Sequence, residues 1–133
     1  MSLEFSTRQI AGITVFDIKG RMVASAEGQV LHATLMRVCD EGQRWIVVNC
    51  ADVHSVDSSG LGDLVASHAA IIRRGGVLRL LHPSPRLVEL LQLTRLDGLL
   101  EAFDNEAQAL ASFNAMNNLR TQQKLEKYLG THD

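Results

Sequence analysis

The feature that most constrains the fold is the near-continuous apolar run Arg44-Trp45-Ile46-Val47-Val48-Asn49-Cys50. A strand with one wet face alternates apolar and polar residues, whereas a short run of β-branched residues suits a strand covered on both faces. Val77-Leu78-Arg79-Leu80-Leu81-His82 is a second run of this kind. Strands buried on both faces need helices packed against the sheet, so the sequence predicts an α/β fold with a parallel or mixed sheet.

Together with the segments around these two apolar runs, the chain is predicted to begin with two strands and to continue with alternating helices and strands. The predicted strands are 4–8, 13–19 with Gly20 at its end, 44–50 followed by the strand-like segment 53–56, 77–82, and 99–103. The first predicted helix is 26–41, and the second runs from the turn at 57–60 to Gly75-Gly76. The third begins with Ser84 as N-cap and Pro85 at the first helical position, and a last helix is capped by Asn105 or Asp104.

The length of the chain, 133 residues, suits one domain with its own core and is too short for two. Residues 1–113 are the predicted domain, and the mostly polar residues 114–133 are a predicted C-terminal extension that is helical or partly disordered. Two interpretations of this extension stay open. It is either a solvent-exposed helix or a contact surface for a partner or for a second copy of the chain in a homodimer.

Composition argues against several classes of function. The chain has a net charge of −2 and so lacks the excess of basic residues that is typical of nucleic-acid-binding proteins. No stretch approaches the roughly 20 apolar residues of a membrane span, and the N-terminus lacks the apolar run of a signal peptide. Cys39 and Cys50 have no CxxC partners, so dithiol chemistry is not indicated. We expect a cytoplasmic protein without a metal site or a cofactor.

The four histidines within the predicted domain show no spacing typical of metal ligands, such as H-E-x-x-H. The sequence therefore predicts that they face solvent or make local hydrogen bonds; they are His32, His54, His68 and His82.

Asp57-Ser58-Ser59-Gly60-Leu61-Gly62 is the segment with the most chemical content, because it opens a helix directly after a strand-like segment. The first backbone N–H groups of a helix lack partners, and the helix dipole adds about half a positive charge there. Each glycine costs roughly 1 kcal/mol of helix propensity relative to alanine. Glycine also permits close approach of another backbone or of a partner surface.

Several interpretations of this turn stay open from the residues alone. In the simplest one, a single capping residue starts the helix and the glycines fit the packing. Anion binding suits a helix N-terminus, but neither GxGxxG nor GxxxxGK[ST] is present, which argues against a nucleotide site. Neither Ser58 nor Ser59 has the glycine two residues before it that a Gly-x-Ser-x-Gly nucleophile elbow requires, so a serine hydrolase is disfavoured.

The Asp57–Gly62 string after a β-branched strand, followed by Gly75-Gly76, a leucine-rich strand and Leu87 to Leu96, resembles the STAS family, the anti-sigma factor antagonists. The resemblance covers roughly residues 3–113. It implies a STAS-type mixed β-sheet with helices packed on one side, and a non-enzymatic regulatory protein that acts by partner switching.

The resemblance also implies residue roles. The first serine after the aspartate, here Ser58, is the expected phosphorylation site of an anti-sigma factor that is itself a serine kinase. The unphosphorylated protein binds that kinase and frees the sigma factor, and a serine phosphatase restores it. The expected partner-binding residues are Asp57, Ser58, Ser59, Gly60, Leu61 and Gly62.

One position departs from the family pattern. Many members carry an aspartate just after the glycine that ends the second strand, and this chain has Val23 there. The alternative function is a non-enzymatic STAS subunit of a lipid-transport or sensory scaffold complex.

Overall fold

The computed structural model describes residues 3–23 and 25–114, which form a five-stranded sheet with helices on both faces. The elements are β1 Leu3–Ile10, β2 Ile13–Met22, α1 Ala26–Asp40, β3 Trp45–Val56, α2 Ser58–Arg73, β4 Val77–Leu81, α3 Pro85–Leu93, β5 Ala102–Phe103, and a last helix, α4, over residues 106–114. The sheet order is β1-β2-β3-β4-β5. Only the β1–β2 pair is antiparallel; the other three described pairs are parallel, so the predicted mixed sheet is confirmed.

Two predicted strand ends are wrong, and pairing between β2 and β3 is the reason. β2 does not stop at Gly20, because parallel pairing continues to Met22 opposite Val56. Gly20 has φ 113° and lies where the register shifts, so it permits an irregularity within the strand. β3 likewise runs without a break to Val56, although the sequence predicted a strand that ends at Cys50 and a separate strand-like segment at 53–56.

The first face of the sheet packs against α1, α2 and α3. Alternate strand residues point to this face, and the helices add their apolar stripes to form the larger core. Its fully buried side chains include Phe16, Ile46, Leu78, Leu35, Ile71 and Leu87. Leu87, Leu90 and Leu91 of α3 are buried as predicted, and Ser84 caps that helix by accepting from Leu87 N at 3.1 Å.

The second face of the sheet packs against α4, which corrects the expectation that the helices lie on one side only. Ala109 and Phe113 are fully buried against Val15, Val47 and Leu81 of the sheet, in a separate core. Asn105 begins α4 by accepting from Gln108 N at 3.0 Å, which decides between the two predicted caps. Helices therefore cover both faces of β3, as its apolar run predicts.

Within the described part, no helix combines the length and apolar character needed to cross a membrane. Cys39 and Cys50 are both buried and unpaired, and burial raises the pKa of Cys50 to about 12. The last strand is shorter than predicted: only Ala102 and Phe103 pair with β4, at Leu80 and Leu81. Apart from residue 114, the predicted extension lies outside the described residues.

Candidate functional site

The candidate site begins where β2 and β3 end side by side. Both strands are parallel, so their carboxyl ends lie at the same edge of the sheet, with Met22 opposite Val56. The next residue, Asp57, donates its backbone N–H to Met22 O at 3.3 Å. This bond fixes the direction in which the chain leaves β3 and enters α2.

Asp57 is the residue that caps α2. Its backbone is extended, with φ −122° and ψ 178°, and its Oδ1 accepts from Gly60 N at 2.8 Å. Ser58 and Ser59 are therefore the first two helical residues, and both are exposed. The hydroxyl of Ser58 takes part in no hydrogen bond within the described residues, because Asp57 already does the capping.

The two glycines of the turn have different surroundings. Gly60 is buried against the end of β2: a Cβ built on it would lie 1.9 Å from Met22 O and 3.0 Å from Val23 N. No side chain fits there, so Gly60 is required for the close approach of two backbones. Gly62 is exposed, and a Cβ built on it would meet no described atom within 4 Å. The fold gives no internal reason for glycine at this second position.

The predicted partner-binding residues divide into a surface set and a buried set. Asp57, Ser58, Ser59 and Gly62 are exposed. Gly60 is buried, and Leu61 is 2% exposed within the larger core. The four exposed residues are the ones that a partner can reach, and we call them the Ser58 surface.

Val23 lies beside this surface, since it is half-buried and its backbone N packs against Gly60. The residue at this position is therefore placed to influence recognition of the turn. Valine gives this position an apolar side chain.

The start of α1 lies next to the start of α2, a relation that the sequence pattern did not reveal. Ser25 caps α1 by accepting from Gly28 N at 3.1 Å. A Cβ on Gly28 would lie 3.8 Å from Asp63 Oδ2, so the first turns of the two helices are neighbours. Deeper between these helices, His32 Nδ1 lies 2.7 Å from Ser67 Oγ. The buried Ser67 interrupts the apolar face of α2, and this interruption is the only sequence signal for the pair.

Two of the histidines follow the sequence expectation and two do not. His54 and His82 are exposed, whereas His32 is half-buried and contacts Ser67 of a neighbouring helix. His68 is 4% exposed, and neither ring nitrogen has a hydrogen-bond partner in the described part of the chain. The sequence places His68 at helical spacing with Leu61, Leu64, Val65, Ile71 and Ile72, on the predicted apolar face of this helix, and its burial follows from that position.

The turn at residues 57–62 has features suited to binding an anion and to contact with a partner. Ser58 has an exposed hydroxyl at the positive end of a 16-residue helix. Within the described residues, it has no histidine or carboxylate hydrogen-bonded to it, as an activated serine nucleophile has. No group of three His, Cys, Asp or Glu side chains that could hold a metal is found among residues 3–23 and 25–114.

Residues 4–109 match the family model described as STAS domain. A candidate anti-sigma factor antagonist of Thermotoga maritima is 31% identical over 71 residues, which are 53% of this chain and 63% of that protein. The matched region is thus less than two thirds of the relative's length. The anti-sigma F factor antagonist of Paenibacillus polymyxa is 23% identical over 120 residues, or 87% of this chain and 99% of the relative.

Three solved structures share the fold. The crystal structure of a candidate anti-sigma factor antagonist from Thermotoga maritima has a TM-score of 0.73 at 21% identity, over 81% of this chain and 92% of that chain. The Bacillus cell fate determinant SpoIIAA in its phosphorylated form has a TM-score of 0.66 at 20% identity, over 83% and 99%. A sulfate transporter family protein of Wolinella succinogenes has a TM-score of 0.64 at 21% identity, over 82% and 90%. At these identities the likeness shows a common fold.

Proposed function

The chain belongs to the STAS domain family, and from this premise we propose that it is an anti-sigma factor antagonist whose binding is switched by phosphorylation of Ser58. The observation that carries the proposal is the free, exposed hydroxyl of Ser58 at the first position of α2. Capping by Asp57 leaves this hydroxyl available to a kinase without loss of the helix start.

The unphosphorylated state is the one that binds. The Ser58 surface is small and smooth, because Gly62 adds no side chain to it. A partner can approach the first turn of α2 closely and contact its backbone. The proposed partner is an anti-sigma factor with serine kinase activity, and the antagonist is a binding protein of the cytoplasm, where ATP for that kinase is present.

Phosphate on Ser58 changes this surface by charge and bulk. It adds about −1.5 to −2 charges and three acceptor oxygens. The helix N-terminus stabilises that charge in the free domain, whereas a tight interface would have to desolvate it beside the carboxylate of Asp57. A loss of about 100-fold in affinity is expected from such a desolvated, like-charged contact. The switch needs no refolding, and a serine phosphatase reverses it.

The first experiment tests the site of modification. The chain is incubated with ATP and the serine-kinase anti-sigma factor of the same organism, and phosphate is located by mass spectrometry. We expect one phosphate on the wild type and on Ser59→Ala, and none on Ser58→Ala. Phosphate on Ser59, or none on the wild type with an active kinase, would contradict the proposal.

The second experiment separates charge from size. Ser58→Asp and Ser58→Asn place side chains of nearly equal volume on the Ser58 surface, and only the first is charged. We expect Ser58→Asp to weaken binding to the anti-sigma factor by at least about 10-fold relative to Ser58→Asn. Equal affinities of the two variants would show that charge at this position does not control binding.

Val23 gives a third test, aimed at the departure from the family pattern. Val23→Asp restores the acidic residue beside Gly60. If the acid tunes recognition by the kinase, this variant should be phosphorylated faster than the wild type, with little change in the affinity of the unphosphorylated form. An unchanged rate assigns recognition to the Ser58 surface alone.

A second candidate function is a non-enzymatic subunit of a lipid-transport or sensory scaffold complex. Its support is the shared fold with a protein of a sulfate transporter family. Co-purification with transporter subunits, together with no phosphorylation by any anti-sigma kinase of the organism, would favour this function over partner switching.

A further inference from the structure

A cavity of about 300 Å³ with largely apolar walls lies between the C-terminal half of α2, the start of β4 and the residues that connect α3 to β5. Ile72 is 50% exposed and Leu99 is 48% exposed, and both line this cavity. The helical spacing placed Ile72 on the predicted apolar face of α2, but no described segment covers it. Exposed apolar side chains that are scattered singly are ordinary, whereas neighbours around one cavity indicate a surface that another segment covers.

The sheet has an open edge at the same place. β5 pairs with β4 only at Leu80 and Leu81, and Leu80 N donates to Glu101 O at 2.9 Å. Peptide groups two residues apart on a strand point to the same side, so the N–H of Leu78 also points toward the β5 side. Among the described residues, no strand pairs with β4 at that position. Open strand edges in folded proteins are commonly covered by a helix or a loop.

The described chain ends beside this cavity, one residue after Phe113. The ring of Phe113 stacks on Trp45, which lies opposite Val77 in the parallel pair of β3 and β4. The guanidinium of Arg79 lies 4.7 Å from the centroid of the Phe113 ring, and Arg79 Nε donates to Ser112 Oγ at 2.7 Å. Val77 and Arg79 both line the cavity. Because the cavity is at the open edge of β4, the chain that leaves α4 can reach it without crossing the sheet.

The segment that follows α4, residues 115–133, has the composition to cover such a surface. It is mostly polar, and its few large apolar residues are Met116, Leu119, Leu125, Tyr128 and Leu129. The last three are spaced i, i+3, i+4, which is typical of one apolar helix face. Even at the 1.5 Å rise per residue of a helix, residues 115–133 would span about 28 Å. The segment is therefore long enough to pass over the cavity.

We propose that residues 115–133 fold back over this cavity, so that their apolar side chains cover Ile72, Leu99 and the start of β4. A segment of the same chain is favoured over a separate molecule, because its short connection to α4 gives it an effective concentration on the order of millimolar. The contact is apolar and needs no bond to His68, whose ring nitrogens are buried. The inference is independent of the proposed switch at Ser58, because the cavity shares no residue with the Ser58 surface.

Methyl spectra of the full chain test whether the segment reaches the cavity. Leu125→Ser combined with Leu129→Ser removes two apolar side chains from the segment, and Gln122→Ser combined with Gln123→Ser changes two polar ones as the matched control. We expect the leucine variant to shift the methyl signals of Ile72 and Leu99, and the glutamine variant to leave them in place. Neither variant alters a residue of the described core, so the domain itself should remain folded.

Limited proteolysis tests the same contact from the side of the cavity. Trypsin cleaves after Lys124 and Lys127, and a segment that is docked most of the time is cleaved more slowly. Ile72→Ser removes an exposed apolar side chain from the cavity wall, and Val30→Ser does so on α1, where Val30 is 56% exposed and does not line the cavity. We expect Ile72→Ser to be cleaved at these lysines at least about 5-fold faster than the wild type, and Val30→Ser at the wild-type rate.

Dilution separates this proposal from the other occupant that the surface admits, a second copy of the chain. We expect the methyl signals of Ile72 and Leu99 to be independent of protein concentration. The proposal is overturned if these signals move on dilution, if the double leucine variant leaves them unchanged, or if Ile72→Ser and Val30→Ser are cleaved at the same rate. None of these outcomes depends on whether Ser58 is phosphorylated.

Discussion

Each end of α2 has a side-chain polar group without a hydrogen-bond partner among the described residues, in solvent at one end and in the interior at the other. At the N-terminal end, Asp57 caps the helix, Gly60 packs against β2, and the free hydroxyl of Ser58 lies in solvent. At the C-terminal end, the free polar group is the ring of His68, which is buried. An unpaired group in water costs nothing, whereas the same group in the interior costs about 1–3 kcal/mol.

This difference separates two kinds of site. The Ser58 surface belongs to one short segment: Asp57 caps the helix within that segment, and long-range contact with the end of β2, through Gly60 and the backbone N–H of Asp57, positions it. The surroundings of His68 are assembled from α2, β4 and the connection after α3. The first leaves its free hydroxyl in solvent, and the second leaves an unpaired imidazole in the interior.

The largest effect is expected at the buried glycine of the N-terminal end. Gly60→Ala places a Cβ 1.9 Å from Met22 O, and Met22 is held by its pairing with Val56 and by the bond from Asp57 N. Backbone cannot yield as a flexible side chain does, so the free energy of unfolding should fall by about 3 kcal/mol or more. Urea unfolding followed by circular dichroism measures it.

The control for this prediction is the neighbouring exposed glycine. Gly62→Ala makes the same chemical change two residues away without a clash. If Gly60→Ala unfolds at the same urea concentration as the wild type, the close approach of β2 to α2 does not constrain the turn. The N-terminal end of α2 would then not be held by its contact with Met22.

Sequence reasoning succeeded where structure is local. The apolar runs of β3 and β4, the cap at Ser84, the cap of the last helix at Asn105 or Asp104, and the helix start after Asp57 were all predictable. Each depends on the conformational or burial preference of a few adjacent residues. The α/β class followed from the order of these elements.

The features that were not predictable depend on contacts between segments that are distant in the sequence. β3 continues through Ala51 and Asp52 because β2 pairs with it there, a preference that these two residues do not show by themselves. α4 lies on the second face because Phe113 stacks on Trp45, with ring centroids 5.7 Å apart. The helical pattern placed His68 in the core, but only the packing of three segments leaves its nitrogens unpaired.

The second effect is a pH dependence that comes from the C-terminal end alone. Burial lowers the pKa of His68 below its usual 6.5, so the unfolded chain binds this proton more readily than the folded one. Stability should therefore fall as pH decreases below about 6.5, by at most about 1.4 kcal/mol per pH unit for a single proton. Urea midpoints between pH 7.5 and pH 5, converted to free energies of unfolding with the urea m-value, measure the slope.

His68→Leu provides the control for this slope, because it removes the titrating ring and places an apolar side chain in the same buried position. The Asp17 carboxylate acts in a separate range: the hydrogen bond from Arg8 lowers its pKa below 3.8, so its contribution is lost only at more acidic pH. A slope that is equally steep in His68→Leu would assign the pH dependence to other groups.

The third effect, smaller, returns to the N-terminal end. Asp57→Ala removes the acceptor of Gly60 N–H and should lower the free energy of unfolding by about 1 kcal/mol. Asp57→Asn keeps a side-chain oxygen at the same position and should lose less. If alanine and asparagine cost the same, the cap does not depend on this hydrogen bond, and the hydroxyl of Ser58 would have to be considered as an alternative cap.

The smallest effect has the opposite sign. Gly62 is exposed within the helix, so Gly62→Ala should raise the free energy of unfolding, by up to about 1 kcal/mol. The fold gains nothing from this glycine, which leaves close contact with a partner as its proposed role. We therefore expect Gly62→Ala to be more stable in urea and to bind the anti-sigma factor more weakly. A variant that is more stable and binds as well as the wild type would remove Gly62 from the Ser58 surface, and Asp57, Ser58 and Ser59 would remain as the proposed contact.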